Sequence, residues 1–88
     1  MCGMKMIAGG WYEFKKRNTT KVYYLKYKNE HNGHSYASEY IIKENNRYYN
    51  DEGSLNKEYF DIKRVHIKKI KKYLPEGHAD LRRLNINN

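Results

Sequence analysis

Four histidines, His31, His34, His66 and His78, are the first side chains to weigh for chemistry, as metal ligands or acid–base groups. His31 and His34 flank Asn32-Gly33, so two imidazoles could meet across a hairpin turn, with His66 or His78 as further ligands. Structural zinc takes four ligands and commonly draws on cysteines at short spacing, yet the chain has a single cysteine, Cys2. Cys2 can form no internal disulfide, and a reactive thiol would need an electropositive, partly shielded site. Asp61 or Asp80 could orient His66 or His78, but no serine or cysteine has the sequence context of a nucleophile. No phosphate-cradling glycine loop, dinucleotide fingerprint or carboxylate cluster for magnesium occurs. The sequence therefore predicts no catalytic residue, no bound metal and no cofactor. The paired histidines of a metal-independent nuclease are the one enzymatic alternative.

Charge is the stronger signal. Residues 63 to 83 hold eight lysines and arginines against two acids, Glu76 and Asp80, a net of +6 in a chain whose total is +8. Lys68, Lys69, Lys71, Lys72, Arg82 and Arg83 are thus candidate contacts for a partner of negative charge, because cations that neutralise phosphates release condensed counterions. Tyr23, Tyr24 and Tyr40, three of the ten tyrosines, are candidate aromatic anchors, since stacking an unpaired base on an aromatic face is worth about 1–3 kcal/mol. An acidic protein groove would suit the same surface. A plainer account is also open, in which lysines keep a short helix solvated and tyrosines fill a thin sheet with their hydroxyls wet. Like charges crowded on one short helix repel and bring no folding benefit, which tips the segment toward a partner.

Those residues need a scaffold. Eighty-eight residues suffice for one domain, spanning 1–88, but not for a deep substrate cavity beside a cofactor site. Residues 1–9 and 84–88 are expected to be flexible ends. "WYEFKK" and "KVYYLKYK" read as strands, the latter with Tyr23, Leu25 and Tyr27 on one face and Val22 and Tyr24 on the other. Asn32-Gly33 predicts a type I′ turn. In the returning strand "SYASEYIIK", Tyr36, Ser38, Tyr40 and Ile42 are expected to alternate against Ala37, Glu39 and Ile41. "NRYYN" reads as a fourth strand, "DEGS" as a turn and "EYFDIKRV" as a fifth strand. Ile67, Ile70 and Leu74 have the spacing of one helix face, and Pro75 should end that helix. The expected fold is mainly β with one short helix: a small SH3-like antiparallel barrel or curled sheet of about five strands, capped by the C-terminal helix. No stretch approaches the roughly 18 apolar residues of a membrane span, and "MCGMKMIAGG" lacks a signal-type apolar run. The expectation is a monomer in the cytoplasm, with no membrane and no small-molecule substrate.

The segment "IKKIKKYLPEGHADL" resembles the C-terminal tail of small Tyr-rich proteins encoded by phages and mobile elements of Bacteroidetes-type bacteria. The match is a Tyr-Leu-Pro-x-Gly-His-x-Asp pattern, carried by Tyr73, Leu74, Pro75, Gly77, His78 and Asp80. The family pattern usually has acidic or neutral helix residues and often a proline after the histidine, where this chain has lysines and Ala79. Read physically, Tyr73 and Leu74 would latch onto the sheet, Gly77 would turn the chain, and His78 and Asp80 would bond a local backbone loop. What the resemblance implies is a phage-borne, non-enzymatic inhibitor of host defence, of the anti-CRISPR type. Its partner in the bacterial cell would be a host protein or ribonucleoprotein complex such as an RNA-guided effector, with RNA contacted directly in one version. A nucleic-acid-binding accessory protein or a structural phage component are the alternatives.

Overall fold

The computed structural model describes residues 5–86, with side chains through residue 84. Residues 1–4, including Cys2, and residues 87–88 lie outside the described residues, and with them parts of both expected flexible ends. Six strands, β1 (Trp11–Lys16), β2 (Val22–His31), β3 (His34–Ile42), β4 (Arg47–Tyr49), β5 (Gly53–Asn56) and β6 (Phe60–Arg64), form one antiparallel sheet. The spatial order is β4-β3-β2-β1-β6, with β5 also on β3. β4 pairs the Tyr40–Ile42 end of β3 and β5 pairs the His34–Ala37 end. The mainly β architecture is present, as a curled sheet that does not close into a barrel and with six strands rather than about five.

Strong side-chain preferences place these strands. β2 is dense in β-branched and aromatic residues and is covered on both faces. Val22 and Tyr24 join Trp11 and Ile41 on one face, while Leu25 joins Tyr12, Phe14, Ala37 and Phe60 on the other, with Tyr23 and Tyr27 packed beside it. The β2–β3 hairpin turns at Asn32 (φ 51°) and Gly33 (φ 79°), the two positive angles a type I′ turn requires.

Three details differ from expectation. The alternation of β3 breaks: Lys26 lies opposite Glu39 but Tyr27 lies opposite Ala37, so Ser38 is an extra residue in a β-bulge. The bulge moves Ala37 to the face of Leu25 and Tyr40, away from Ile41. "DEGS" is not wholly a turn, because Gly53 and Ser54 begin β5 opposite Ala37 and Tyr36. Gly53 leaves room for the Tyr40 ring to lie across the strand, since a Cβ there would stand 3.0 Å from it. Finally, β6 starts at Phe60, since Lys57–Tyr59 form a 3₁₀ turn whose entry is capped by the Asn56 side chain accepting the Glu58 N–H.

The chain then crosses the Trp11 face of the sheet. α1 (Ile67–Ile70) is one helical turn, capped by His66 Nδ1 accepting the Lys68 N–H, and a 3₁₀ turn at Lys71–Tyr73 extends it. Leu74 is extended (φ −83°, ψ 145°), as a residue before proline should be. Ile70 and Leu74 are buried in the Trp11–Tyr24–Ile41 core, Ile67 packs at its rim, and Lys68 and Lys72 are exposed. After Gly77 (φ 86°) a second helix, α2 (Ala79–Ile86), packs on α1, where the sequence pattern predicts only a turn and a tail. Among the described residues no helix is long and apolar enough to cross a membrane.

Ile70 is fully buried and tests this packing. Ile70→Ala should lower stability by about 2–5 kcal/mol, and Ile70→Asp should abolish folding, because an unpaired charge would replace a packed side chain. Lys68→Ala should change stability by no more than about 0.5 kcal/mol. Thermal and denaturant melts of the three variants measure the contrast.

Candidate functional site

The face of the sheet that α1 crosses carries four polar side chains among its apolar ones, one from each of four adjacent strands: Trp11, Lys26, Glu39 and Tyr48. They meet His78 and Asp80 from the tail. Trp11 Nε1–H donates to Asp80 Oδ2 at 2.8 Å, and Lys26 Nζ lies 3.1 Å from the same oxygen and 3.6 Å from Glu39 Oε2. Glu39 Oε1 accepts from the Tyr48 hydroxyl and from His78 Nε2, each at 2.6 Å. The Asp80 backbone N–H donates to His78 Nδ1 at 3.0 Å, which leaves the ring proton on Nε2 for the bond to Glu39. The His78 ring also stands edge-on to Tyr48, with centroids 5.6 Å apart.

Three acidities in this cluster are shifted from their ordinary values. Burial pushes the Glu39 pKa up, but hydrogen bonds from Tyr48 and His78 and the charge of Lys26 outweigh it and hold the carboxyl below its usual value. Asp80 follows the same balance: burial raises its pKa, and the bonds from Trp11 and Lys26, with the Lys26 charge, bring it below normal. Tyr48 moves the other way, raised by burial and by its hydrogen bond to the Glu39 carboxylate. The expected local bonding of His78 and Asp80 is thus only part of their role. Their principal partners are on the sheet, and the "HAD" segment latches the tail to four strands.

Both ring nitrogens of His78 are taken by protein partners. Asp61 pairs with Arg17 at 3.4 Å, His66 caps α1, and His34 Nδ1 lies 3.2 Å from the Asn32 carbonyl. Among the described residues no group of three or more His, Cys, Asp and Glu side chains is placed to hold a metal.

The lysines of α1 and its 3₁₀ extension divide into two sets. Lys69 Nζ lies 3.3 Å from Glu13, which Lys63 also approaches at 3.8 Å, so part of the expected basic face is neutralised from the sheet. Among the described residues no carboxylate lies within ion-pair distance of Lys68, Lys71 or Lys72, although Lys72 Nζ sits 5.3 Å above the Tyr73 ring. Arg82 and Arg83 are exposed on α2, Arg82 donating from Nε to the Gly77 carbonyl at 3.2 Å.

The tyrosines do not join these cations. Tyr24 is 2% exposed beneath the helical cover, its ring 5.9 Å from that of Tyr73, so it cannot anchor a partner. Tyr23 and Tyr40 belong to the opposite face, where they line an apolar hollow of about 160 Å³ with Leu25 and Leu55. Tyr40 stacks on Tyr49 at 4.8 Å, and Tyr23 meets Phe60 edge-on. Cations and aromatic anchors therefore occupy two separate surfaces. No protein-family model, curated protein or solved structure matches the chain.

The depressed acidities of Glu39 and Asp80 give a pH dependence of defined sign. A carboxyl whose folded pKa lies below its unfolded value stabilises the fold fully above the unfolded value, near 4.5 for Glu and 3.8 for Asp, and that contribution is lost as pH falls through the folded value. Melting temperature should fall as pH drops below about 4.5, with Trp11 fluorescence reporting loss of the Asp80 bond. Asp80→Ala should lower stability at neutral pH by about 1–3 kcal/mol, because it strands the Trp11 N–H and leaves Lys26 with Glu39 alone. It should also flatten the acid transition.

Proposed function

We propose that this chain is a non-enzymatic binding protein that docks the exposed lysines of α1 onto the phosphate backbone of a nucleic acid held in a host complex. The observation that carries the reading is the set Lys68, Lys71 and Lys72: exposed, without acidic partners among the described residues, and crowded on a helix of four residues with its 3₁₀ extension. Such crowding opposes helix formation, and neutralising phosphates would relieve it. The cations that the fold uses internally are paired: Lys26 lies between Glu39 and Asp80, and Lys63 and Lys69 flank Glu13. Lys68, Lys71 and Lys72 serve no such internal purpose.

Small size and the resemblance of the "YLPEGHAD" tail to phage and mobile-element proteins support the more specific form of the proposal. In that form the chain inhibits a nucleic-acid-handling defence complex, an RNA-guided effector, as anti-CRISPR proteins do. The apolar hollow beside Tyr23 and Tyr40 favours a second mode, a protein partner gripped on the opposite face.

Reversing Lys68, Lys71 and Lys72 to glutamate should abolish binding to RNA, DNA or the assembled effector while the melting temperature stays near native. For the unaltered protein, log affinity should fall with log salt at roughly 0.7–0.9 per phosphate neutralised. Salt-independent binding that survives the triple reversal but is lost in Tyr23→Ala or Tyr40→Ala would replace this reading with the protein-partner mode.

A further inference from the structure

The residue types beside the α1 lysines, and those missing from among them, bear on which form of nucleic acid the segment can hold. Lys71 and Lys72 follow Lys68 by three and four residues, so helical spacing sets the three side chains on one side, with Cβ atoms about 5–6 Å apart. Lys69 reaches Glu13 instead, and Ile70 is buried beneath. Four aromatic residues belong to the core cluster under this cover: Trp11, Tyr24, Tyr48 and Tyr73. Trp11 is 4% exposed, with its indole N–H bound by Asp80, and Tyr24 is 2% exposed. Tyr48 donates its hydroxyl proton to Glu39 and meets the His78 ring edge-on. Tyr73, the one aromatic on the helical segment itself, is half-buried, with the Tyr24 ring at 5.9 Å and the Lys72 ammonium 5.3 Å from its centroid. Every ring of the cluster is thus committed within the fold, and Tyr23 and Tyr40 belong to the opposite core.

We infer that this surface takes the phosphate backbone of a double-stranded nucleic acid, with its bases paired and without preference for sequence, an assignment that rests on the phosphate-docking role given to α1 above. A single strand is flexible, and the cost of ordering it is offset by stacking its bases on aromatic faces, each stack worth about 1–3 kcal/mol. Beside Lys68, Lys71 and Lys72 that compensation is missing. Charge alone remains, and charge favours the duplex: it carries one negative charge per about 1.7 Å of axis, and each phosphate neutralised contributes roughly 0.9 to the salt slope against roughly 0.7 on a single strand. Sequence readout relies on planar groups that match base edges in paired hydrogen bonds, the arginine fork and the amides of asparagine and glutamine above all. From Ile67 to Tyr73 the exposed positions hold only lysine, a point charge on a flexible stem.

Fluorescence anisotropy with a blunt DNA duplex, the same duplex as RNA, and each single strand tests the assignment. Both duplexes should bind, because the phosphates are common to them, and a DNA duplex of scrambled sequence should bind within about twofold of the first. Duplex should be held several-fold more tightly than either single strand at low salt. The slope of log affinity against log salt should be about 2.7 for the DNA duplex, three contacts at roughly 0.9 each, against about 2.1 for a single strand. A 2-aminopurine placed within the duplex should keep its quenched, stacked emission in the complex. Reversing Lys68, Lys71 and Lys72 to glutamate should remove binding to every form, and where circular dichroism shows that variant unfolded, glutamine at the same positions makes the comparison. Single strands bound as tightly as the duplex, a 2-aminopurine that brightens, or binding confined to one sequence would overturn the duplex assignment and leave the lysine contacts standing. Binding to no form, or duplex binding that survives loss of the three lysines, would overturn both.

Discussion

Lys26 is the charge on which the tertiary arrangement turns. Its ammonium group lies between Asp80 of the tail and Glu39 of β3, and among the described residues it is the only lysine or arginine in contact with either carboxylate. Without it, two partly buried carboxylates would face each other and the tail would be repelled from the sheet. A polar network of this kind is a poor source of net stability, because desolvating the ions offsets most of their attraction. Its value lies in specificity: Trp11, Lys26, Glu39 and Tyr48 offer fixed donors and acceptors that only the "HAD" register satisfies. The apolar residues Ile70 and Leu74 supply adhesion but would tolerate sliding, and the network defines where α2 begins. The cover over this face of the sheet is thus assembled by two kinds of force, one giving strength and the other position.

An unclosed sheet of this size must also protect its edges, since exposed strand edges are templates for pairing with other chains. β3 is covered along its outer side in two pieces, by β4 at one end and β5 at the other, so the outermost strands on that side are only three and four residues long. On the opposite edge β6 carries Asp61, Lys63 and Arg64, and Arg17 reaches across to the carbonyls of Glu58 and Phe60. Short, charged edges offer little template for pairing with another strand.

How far the sequence could be read depended on the range of the forces involved. Tyr23, Leu25 and Tyr27 against Val22 and Tyr24, Asn32-Gly33, and the Ile67–Ile70–Leu74 spacing are local signals, and each corresponds to an observed face, turn or helix. The bulge at Ser38 is set by how two strands pair, so alternation along β3 alone placed Ala37 on the wrong face. Gly53 looked like a turn residue because composition does not reveal that the Tyr40 ring would cover it. α2 was hidden by its weak pattern, with Leu81 and Leu84 as sparse apolar markers among polar neighbours, and the tie through Asp80 comes from Trp11, 69 residues away in sequence. Among the candidate contacts, exposure of the α1 lysines was legible from helix spacing. The burial of Tyr24 and the pairing of Lys69 with Glu13 were not.

The distribution of acids decides which cations the fold itself pairs. Six carboxylates, those of Glu13, Glu30, Glu39, Glu52, Asp61 and Asp80, are paired with cations of the strands, their turns or α1. Arg17, Lys26, Lys28, Lys57, Lys63 and Lys69 thereby become partners in the fold, while Lys68, Lys71 and Lys72, like Lys15, Lys21 and Lys43, have no carboxylate partner among the described residues. Intrinsic helix preference cannot account for lysines at those positions, because a single turn lies below the length at which propensity stabilises a helix in water. The turn exists because Ile70 and Leu74 are buried and His66 caps it, and almost any polar residue would satisfy the exposed sites. Repeated lysine there adds repulsion to a segment that tertiary contacts already hold, and this unrelieved repulsion is the ground on which the proposed docking to phosphates rests.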